Sequence, residues 1–390
     1  MTPERSERPR TEHQVLAFSP YFLPGIKGGG PIRALVEILE SVPDNVTIYL
    51  VTSDRDLGDT RSYPGLASRV ASYGRHKVYY WDRTSLKSWL RLSRLLRARQ
   101  FHILFLNSLW SPQFTMLPWV LSQARAIRSG VVLIAPRGEL SPGALGLKTR
   151  KKQLALATWG RLLSRTEPIW QVSNDLEGSH VRDAFPNARV IVQPDSRGPI
   201  PQDLVVSEIS PQFVFVSRIS PKKNLRFLLE ALSDCTAPLT LDILGPIEDP
   251  EHWAECQRVI DDLPDHISVS YAGLVPMEEV VARLGQYDAF LFPTLGENFG
   301  FVIAESLSAG CPVVSSAHTP WTSLLAQGCG LVLPLSSTGV WSREIDRWAR
   351  LSSAERTAKK RQALKTYTRW HRSQIMTSAL ERALTSNLSP

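Results

Sequence analysis

The chain has 390 residues, 43% of them apolar and 21% charged, with a formal net charge of +8. That length suits two domains of about 100–200 residues each, and the composition is that of an ordinary globular protein, not a disordered or fibrous one. No run of about 18 apolar residues predicts a membrane-spanning helix, and four cysteines without a Cys-x-x-Cys pair argue against a zinc site or disulfide framework and for a reducing, cytoplasmic setting.

The opening MTPERSERPRTEHQ is charged and has no apolar core, so it predicts no secretory signal; residues 1–12 read as a disordered tail. From there apolar runs alternate with helical periodicity. VLAFSPYF (15–22) reads as a strand, followed by a glycine turn and the helix PIRALVEILESV. VTIYLVTS (46–53), KVYYW and FHILFLNS (101–108) read as further strands, with the helix SLKSWLRLSRLLRARQ before the last of them. VVLIAP (131–136), a Lys-rich helix over 147–165 and the short strands PIWQVS and ARVIVQP complete the first half. Around 195–210 periodicity gives way to Pro, Gly and Ser, which marks a linker. The alternation restarts with FVFVSR (213–218), NLRFLLEAL, LTLDILG (239–245), a helix across 250–262, ISVSYAG, MEEVVARLGQY, AFLFPT, FVIAESLSA and PVVSS. Strands separated by helices of about 10–15 residues predict βαβ units on parallel sheets, hence two doubly wound α/β domains facing across a cleft. The expected division is 13–198, 199–370 and a C-terminal helix over 371–390 packing back on the first domain.

Residues 1–200 carry 28 Lys and Arg against 16 Asp and Glu, whereas residues 201–390 carry 17 against 21. The basic half suits nucleic acid, an anionic membrane or a phosphorylated acceptor, or is simply a solvated basic surface. No recognised nucleic-acid module with interleaved aromatics accompanies it, so nucleic acid is not expected as a partner.

Three segments carry chemistry. In LFPTLGENFGFVIAESLSAGCPVVSS (291–316), Glu297 lies in a turn and Glu305 eight residues on, inside a helix. A helix start presents free N–H groups and partial positive charge, which suits a phosphate between two such carboxylates. In FVFVSRISPKKNLRFLLEAL (213–232), Arg218 closes a strand and Lys223 stands just before a helix. Two fixed cations stabilise negative charge developing on a leaving diphosphate and take the place of a metal. In GIKGGGPIRALVEIL (25–39), Gly29 and Gly30 let backbone amides approach an anion, although the dinucleotide and nucleoside triphosphate fingerprints are not met.

Together these segments resemble the retaining nucleotide-sugar glycosyltransferases of family 4: GENFGFVIAES matches their E-x7-E signature, Arg218 and Lys223 their R-x4-K, and residues 28–31 their first-domain G-G-P loop. NSLWSP (107–112), APRGELSPGALGLKTRKK (135–152) and HTPWTSLLAQGCGLVLP (318–334) resemble a branch building bacterial exopolysaccharide, capsule or O-antigen. The resemblance implies a GT-B fold and a cytoplasmic enzyme, with peripheral attachment to the inner membrane as a variant, that moves a sugar from a nucleoside diphosphate sugar to a glycan or lipid-pyrophosphate acceptor. It implies no cofactor and no metal. Arg218 and Lys223 would hold the diphosphate and Glu297 the sugar hydroxyls. Asn298, Phe299 and Gly300 would meet sugar and diphosphate through backbone amides, as would Gly29 and Gly30. Glu305 would accept from the ribose, and Leu274 and Val275 would hold the base.

Two departures stand out. The family's His-Gly after the fourth strand is Asn107-Ser108, and its Asn-Gly near the domain junction is Asp195-Ser196. Asn107, Arg137 and Glu139 are candidate acceptor contacts, with a structural turn as the competing reading for Arg137 and Glu139. Lys148, Arg150, Lys151 and Lys152 are candidates for docking an anionic leaflet. The expectation for Lys223→Ala is lost turnover on an intact fold. The alternative is a non-catalytic GT-B relative that binds a glycan or partner. A nicotinamide dehydrogenase is disfavoured by the missing fingerprint.

Overall fold

The computed structural model describes residues 12–141, 159–195, 198–204, 212–374 and 378–386. Two sheets organise them, in a unit of Met1–Ser196 with Met376–Pro390 and a unit of Arg197–Ile375. Residues 1–11 of the expected tail and Lys148 to Lys152 lie outside the described residues, as does most of the helix expected over 147–165.

The first unit holds eight strands: β1 (His13–Ser19), β2 (Val46–Ser53), β3 (Val70–Tyr73), β4 (His76–Trp81), β5 (Phe101–Leu106), β6 (Ser129–Ile134), β7 (Ile169–Val172) and β8 (Arg189–Val192). Their order is β3-β4-β2-β1-β5-β6-β7-β8, parallel throughout except for the β3–β4 pair. A strand covered on both faces must be apolar at every position, and alternate residues then serve opposite faces. β1 does this: Leu16 and Phe18 enter one core cluster, Val15 and Ala17 the other. The helix Ala379–Ser386 adds Leu380 and Ala383 to the second of these clusters.

The second unit holds β9 (Gln212–Val216), β10 (Leu239–Leu244), β11 (Ile267–Gly273), β12 (Ala289–Phe292), β13 (Val313–Ser316) and β14 (Gly330–Leu333), in the order β11-β10-β9-β12-β13-β14 and all parallel. Phe213, Phe215, Phe290 and Phe292 fill the centre of its core. β9 is followed in sequence by its neighbour on one side, and the chain later returns to its other side with β12. That reversal opens a crevice beyond the strand C-termini, where doubly wound sheets bind ligands. In the first unit the same reversal falls between β1 and β5.

Gly245 lets the ends of β9 and β10 meet. Its φ is +130°, and a Cβ there would sit 2.0 Å from the Ser217 carbonyl oxygen. The sheet is buttressed by the helix Ser353–Ser373, which opens with a reciprocal cap: Glu355 accepts from the Ser352 amide at 2.8 Å and donates its own amide to Ser352 Oγ at 3.3 Å. Inside that helix Arg356 pairs with Asp288 at 3.2 Å, and Lys360, 2% exposed, donates to the carbonyls of Gly285 at 2.7 Å and Tyr287 at 3.0 Å. These contacts hold the chain entering β12.

Burial holds the Lys360 ammonium below its ordinary pKa. The unfolded chain therefore binds that proton more tightly, and Lys360 contributes increasing stability as pH rises toward about 10.4, the ordinary lysine value. Lys360→Met leaves two buried carbonyls without donors and is expected to cost about 2–4 kcal/mol. Denaturant titration at neutral and alkaline pH checks this: the gap between the proteins widens as pH rises, and a gap that narrows contradicts the account.

Candidate functional site

The reversal between β9 and β12 brings together the two charged motifs of the second unit. Beyond β9 the backbone makes a turn, Pro221–Lys223, that ends in Asn224 at φ 60° and enters the helix Leu225–Ser233. Asn is among the residues that most readily take that left-handed conformation, and its amide is held across the crevice by the Pro293 carbonyl at 3.0 Å. The turn delivers Lys223 Nζ onto Glu297 Oε1, across 74 positions of sequence. Both side chains are nearly buried, at 11% and 12% exposure, and the ammonium also lies 5.5 Å from the centre of the Phe292 ring. Thr294 donates to the same carboxylate oxygen at 3.1 Å. The backbone fixes this loop from both sides: Leu295 donates to the Lys222 carbonyl and Glu297 to the His318 carbonyl, each at 2.9 Å. Neither bond to the Glu297 carboxylate uses Oε2. Arg218 is more open and donates to Glu248 at 2.6 Å.

Glu297 and Glu305 flank the start of the helix Phe301–Ser308. Gly300 precedes it at φ 77°, a conformation open to glycine, and no side chain caps the helix. Phe299 is buried against Trp321, whose indole N–H donates to the Phe299 carbonyl. This edge-to-face contact and the indole hydrogen bond fix the Asn298–Gly300 backbone at the helix mouth. Glu305 lies within the helix and is 7% exposed. Leu274 and Val275 follow β11, which stands two strand spacings from β9, roughly 10 Å. Leu274 is 56% exposed, and Val275 packs on the core.

In the first unit, the reversal between β1 and β5 gathers the remaining candidates. Gly29 stands at φ 65° before the helix Gly30–Ser41. Its loop is clamped by Asp56, whose carboxylate accepts from the amides of Ile26 at 2.8 Å, Lys27 at 3.0 Å and Leu57 at 2.8 Å. Asn107 is 1% exposed; its amide donates to Ser19 Oγ at 3.1 Å and the Pro31 carbonyl at 3.4 Å, and its oxygen accepts from Arg137 Nε at 2.6 Å. Arg137, held at φ 51°, pairs with Asp195, and both side chains are at least 95% buried. Glu139 accepts from Ser108 Oγ at 3.1 Å and from the amides of Leu109 and Trp110 at 2.7 and 3.0 Å. Asn107 therefore orients Arg137 and the entry of the helix Gly30–Ser41, and Glu139 shapes the Ser108–Trp110 loop.

Several partners were not read from the sequence. Glu248 reaches Arg218 because β10 lies beside β9, and strand order is not written in spacing. Asp56 closes VTSDRD at the end of β2 and reads there as an ordinary turn acid. Glu177 accepts from the Gly138 amide at 2.6 Å and the Ser173 amide at 2.7 Å. It looks in sequence like an acid of a helix first turn.

Residues 210–349 match the family described as glycosyl transferases group 1. Over 161 residues the chain is 27% identical to the O-antigen chain mannosyltransferase B of Escherichia coli, covering 38% of this chain and about two fifths, 41%, of that relative's length. Among solved structures it is similar to Anabaena HepE in complex with UDP and glucose (TM-score 0.66, 16% identity, 97% of this chain and 100% of that one). It is similar also to sucrose-phosphate synthase of Thermosynechococcus elongatus (TM-score 0.66, 16% identity, 97% and 98%) and to WaaG, a glycosyltransferase involved in lipopolysaccharide biosynthesis (TM-score 0.56, 12% identity, 97% and 100%). The fold is the GT-B fold, and a group 1 glycosyltransferase domain lies over residues 210–349.

The Lys223–Glu297 pair changes the expectation for Lys223→Ala. Removing one partner of a nearly buried pair strands the other, at about 3–5 kcal/mol. We expect Lys223→Ala to lower stability by roughly that amount, and the combined Lys223→Ala, Glu297→Ala variant to lose less than the sum of the singles. A double-mutant cycle by chemical denaturation reads the coupling, and additive losses contradict the pairing.

Proposed function

We propose that the chain is a glycosyltransferase that moves a sugar from a nucleoside diphosphate sugar to a glycan or lipid-linked acceptor in surface polysaccharide synthesis. The observation that carries this reading is the meeting of Lys223 and Glu297 at the reversal of the second sheet, beside an uncapped helix start. The E. coli relative and WaaG, as glycosyltransferases of O-antigen and lipopolysaccharide synthesis, support the transfer to surface polysaccharide, and the UDP and glucose held by HepE support the donor class.

The chemistry proposed is retaining and needs no metal. Cleaving the anomeric carbon–oxygen bond leaves charge on the diphosphate. Lys223, Arg218 and the amides at Phe299 and Gly300 stabilise that charge where it develops. Glu297 Oε2 accepts from a sugar hydroxyl, Glu305 from the ribose, and Leu274 and Val275 border the base. The acceptor hydroxyl attacks on the face the diphosphate leaves, and the departing phosphate oxygen takes its proton. Binding the donor exchanges the Lys223–Glu297 contact for a Lys223–phosphate contact, so the cation is paired at every stage. In the first unit, the Gly29–Gly30 loop would offer backbone amides to an anion, and Asn107, Arg137 and Glu139 would shape the loops that meet an acceptor.

Incubation with uridine, guanosine and adenosine diphosphate sugars tests the reading. We expect hydrolysis or transfer with one of them, undiminished by excess chelator, and a product with the donor's anomeric configuration by NMR. Lys223→Gln is expected to lower kcat by about 10²–10³-fold, as for loss of one charge-stabilising donor. Glu305→Gln is expected to raise the donor KM more than it lowers kcat. Nucleotide binding without any turnover of the panel favours the non-catalytic alternative, which the commitment of both side-chain polar atoms of Asn107 inside the first unit suits.

A further inference from the structure

We propose that the outward face of the helix Ser353–Ser373, with Leu204 and Leu364 beside it, docks on an anionic phospholipid surface. Between Glu355 and Glu381 the chain carries seven Lys and Arg and no acid. The rest of residues 201–390 carries 10 basic against 21 acidic residues, so the cations are segregated onto one helix of an otherwise acidic half. Three of the seven act inside the unit: Arg356 pairs with Asp288, Lys360 donates to two carbonyls, and Lys359 lies 4.7 Å from the Trp348 ring centre.

The other four, Arg361, Lys365, Arg369 and Arg372, are exposed and have no ion-pair partner among the described residues. Their spacing of four, four and three places them on one face, opposite the buried Ala363 and Tyr367. They extend over twelve residues, about 16 Å of helix, enough to meet several lipid headgroups. An ordinary solvated helix face mixes both signs, because neighbouring like charges repel. The row itself walls an open groove of about 570 Å³, together with Thr368 and with Leu204 and Leu364, which add apolar surface among the cations. A soluble polyanion has no use for those leucines, whereas a lipid surface offers headgroups to the cations and hydrocarbon to the groove. Among the described residues no helix is long and apolar enough to cross a membrane.

The test is co-sedimentation of the full chain with phosphatidylcholine vesicles, alone or containing phosphatidylglycerol. We expect binding to the anionic vesicles only, weakening as salt rises. Replacing Arg361, Lys365, Arg369 and Arg372 together by Gln is expected to lower partitioning more than about thirtyfold with the circular dichroism unchanged. Leu364→Ser is expected to lower it several-fold at the same salt slope. Lys87→Gln, Arg94→Gln and Arg97→Gln together, on the basic helix Leu86–Arg97 of the first unit, are expected to change it less than about twofold. The proposal fails if wild type ignores anionic vesicles, or if the four-fold variant still binds. It fails equally if the loss follows the Leu86–Arg97 variant, or if soluble heparin binds as well and Leu364→Ser leaves vesicle binding unchanged. Because the readout is partitioning, these outcomes are separate from success or failure of the transferase reading.

Discussion

The contact between Lys223 and Glu297 sets the terms for the rest of the second unit. Each group is nearly buried, and each would be costly there without the other. They meet only because β9 and β12 are neighbours while their chain connections leave in opposite directions. The hydrogen bonds from Leu295 to Lys222 and from Glu297 to His318 tie three loops to one another, so the ion pair is placed by backbone and not by long, mobile side chains. A cation positioned in this way loses little entropy when an anion replaces its carboxylate partner. A flexible surface lysine would have to be ordered first.

The first unit solves a related problem with buried carboxylates. Loops beyond strand ends expose backbone N–H groups that must find acceptors. Asp56 gathers three such groups, Glu139 two and Glu177 two. These acids are spent on shape. Their effect on a bound molecule runs through the Gly29 loop, the Ser108–Trp110 turn and the Arg137–Gly138 turn that they hold. Asn107 belongs to the same framework. It couples Ser19, Pro31 and Arg137, and through Arg137 it reaches Asp195, near the point where the chain leaves the unit.

The sequence made the apolar strands legible, because a strand covered on both faces must be apolar along its length. β1, β2, β5, β9, β10, β12 and β13 stand within a few residues of where periodicity puts them. β3 was not legible: its four residues alternate partly buried with exposed, and it pairs antiparallel through a tight turn to β4. The helix Leu117–Gln123, between β5 and β6, is short because the chain turns after Gln123 to enter β6. The spacing of Arg218 with Lys223 and of Glu297 with Glu305 was visible, since each motif is local. That Lys223 and Glu297 touch, that Glu248 meets Arg218 and that Asp56 clamps the glycine loop depend on strand order, which no local pattern encodes.

Charge shows the same limit of local sums. By halves, the basic excess lies in residues 1–200 and the second half is acidic. A surface potential, however, is set by charges within about a Debye length, roughly 8–10 Å at physiological salt. On that scale a half-chain total is an average over faces that never act together. The helix Ser353–Ser373 carries its cations in two populations divided by its own periodicity. One set turns inward to hold β12 through Asp288 and the carbonyls beside it. The other turns outward, with no acid interspersed to lower its field. A net charge of −4 for the half therefore conceals a strongly positive face, and it is the face that a partner meets.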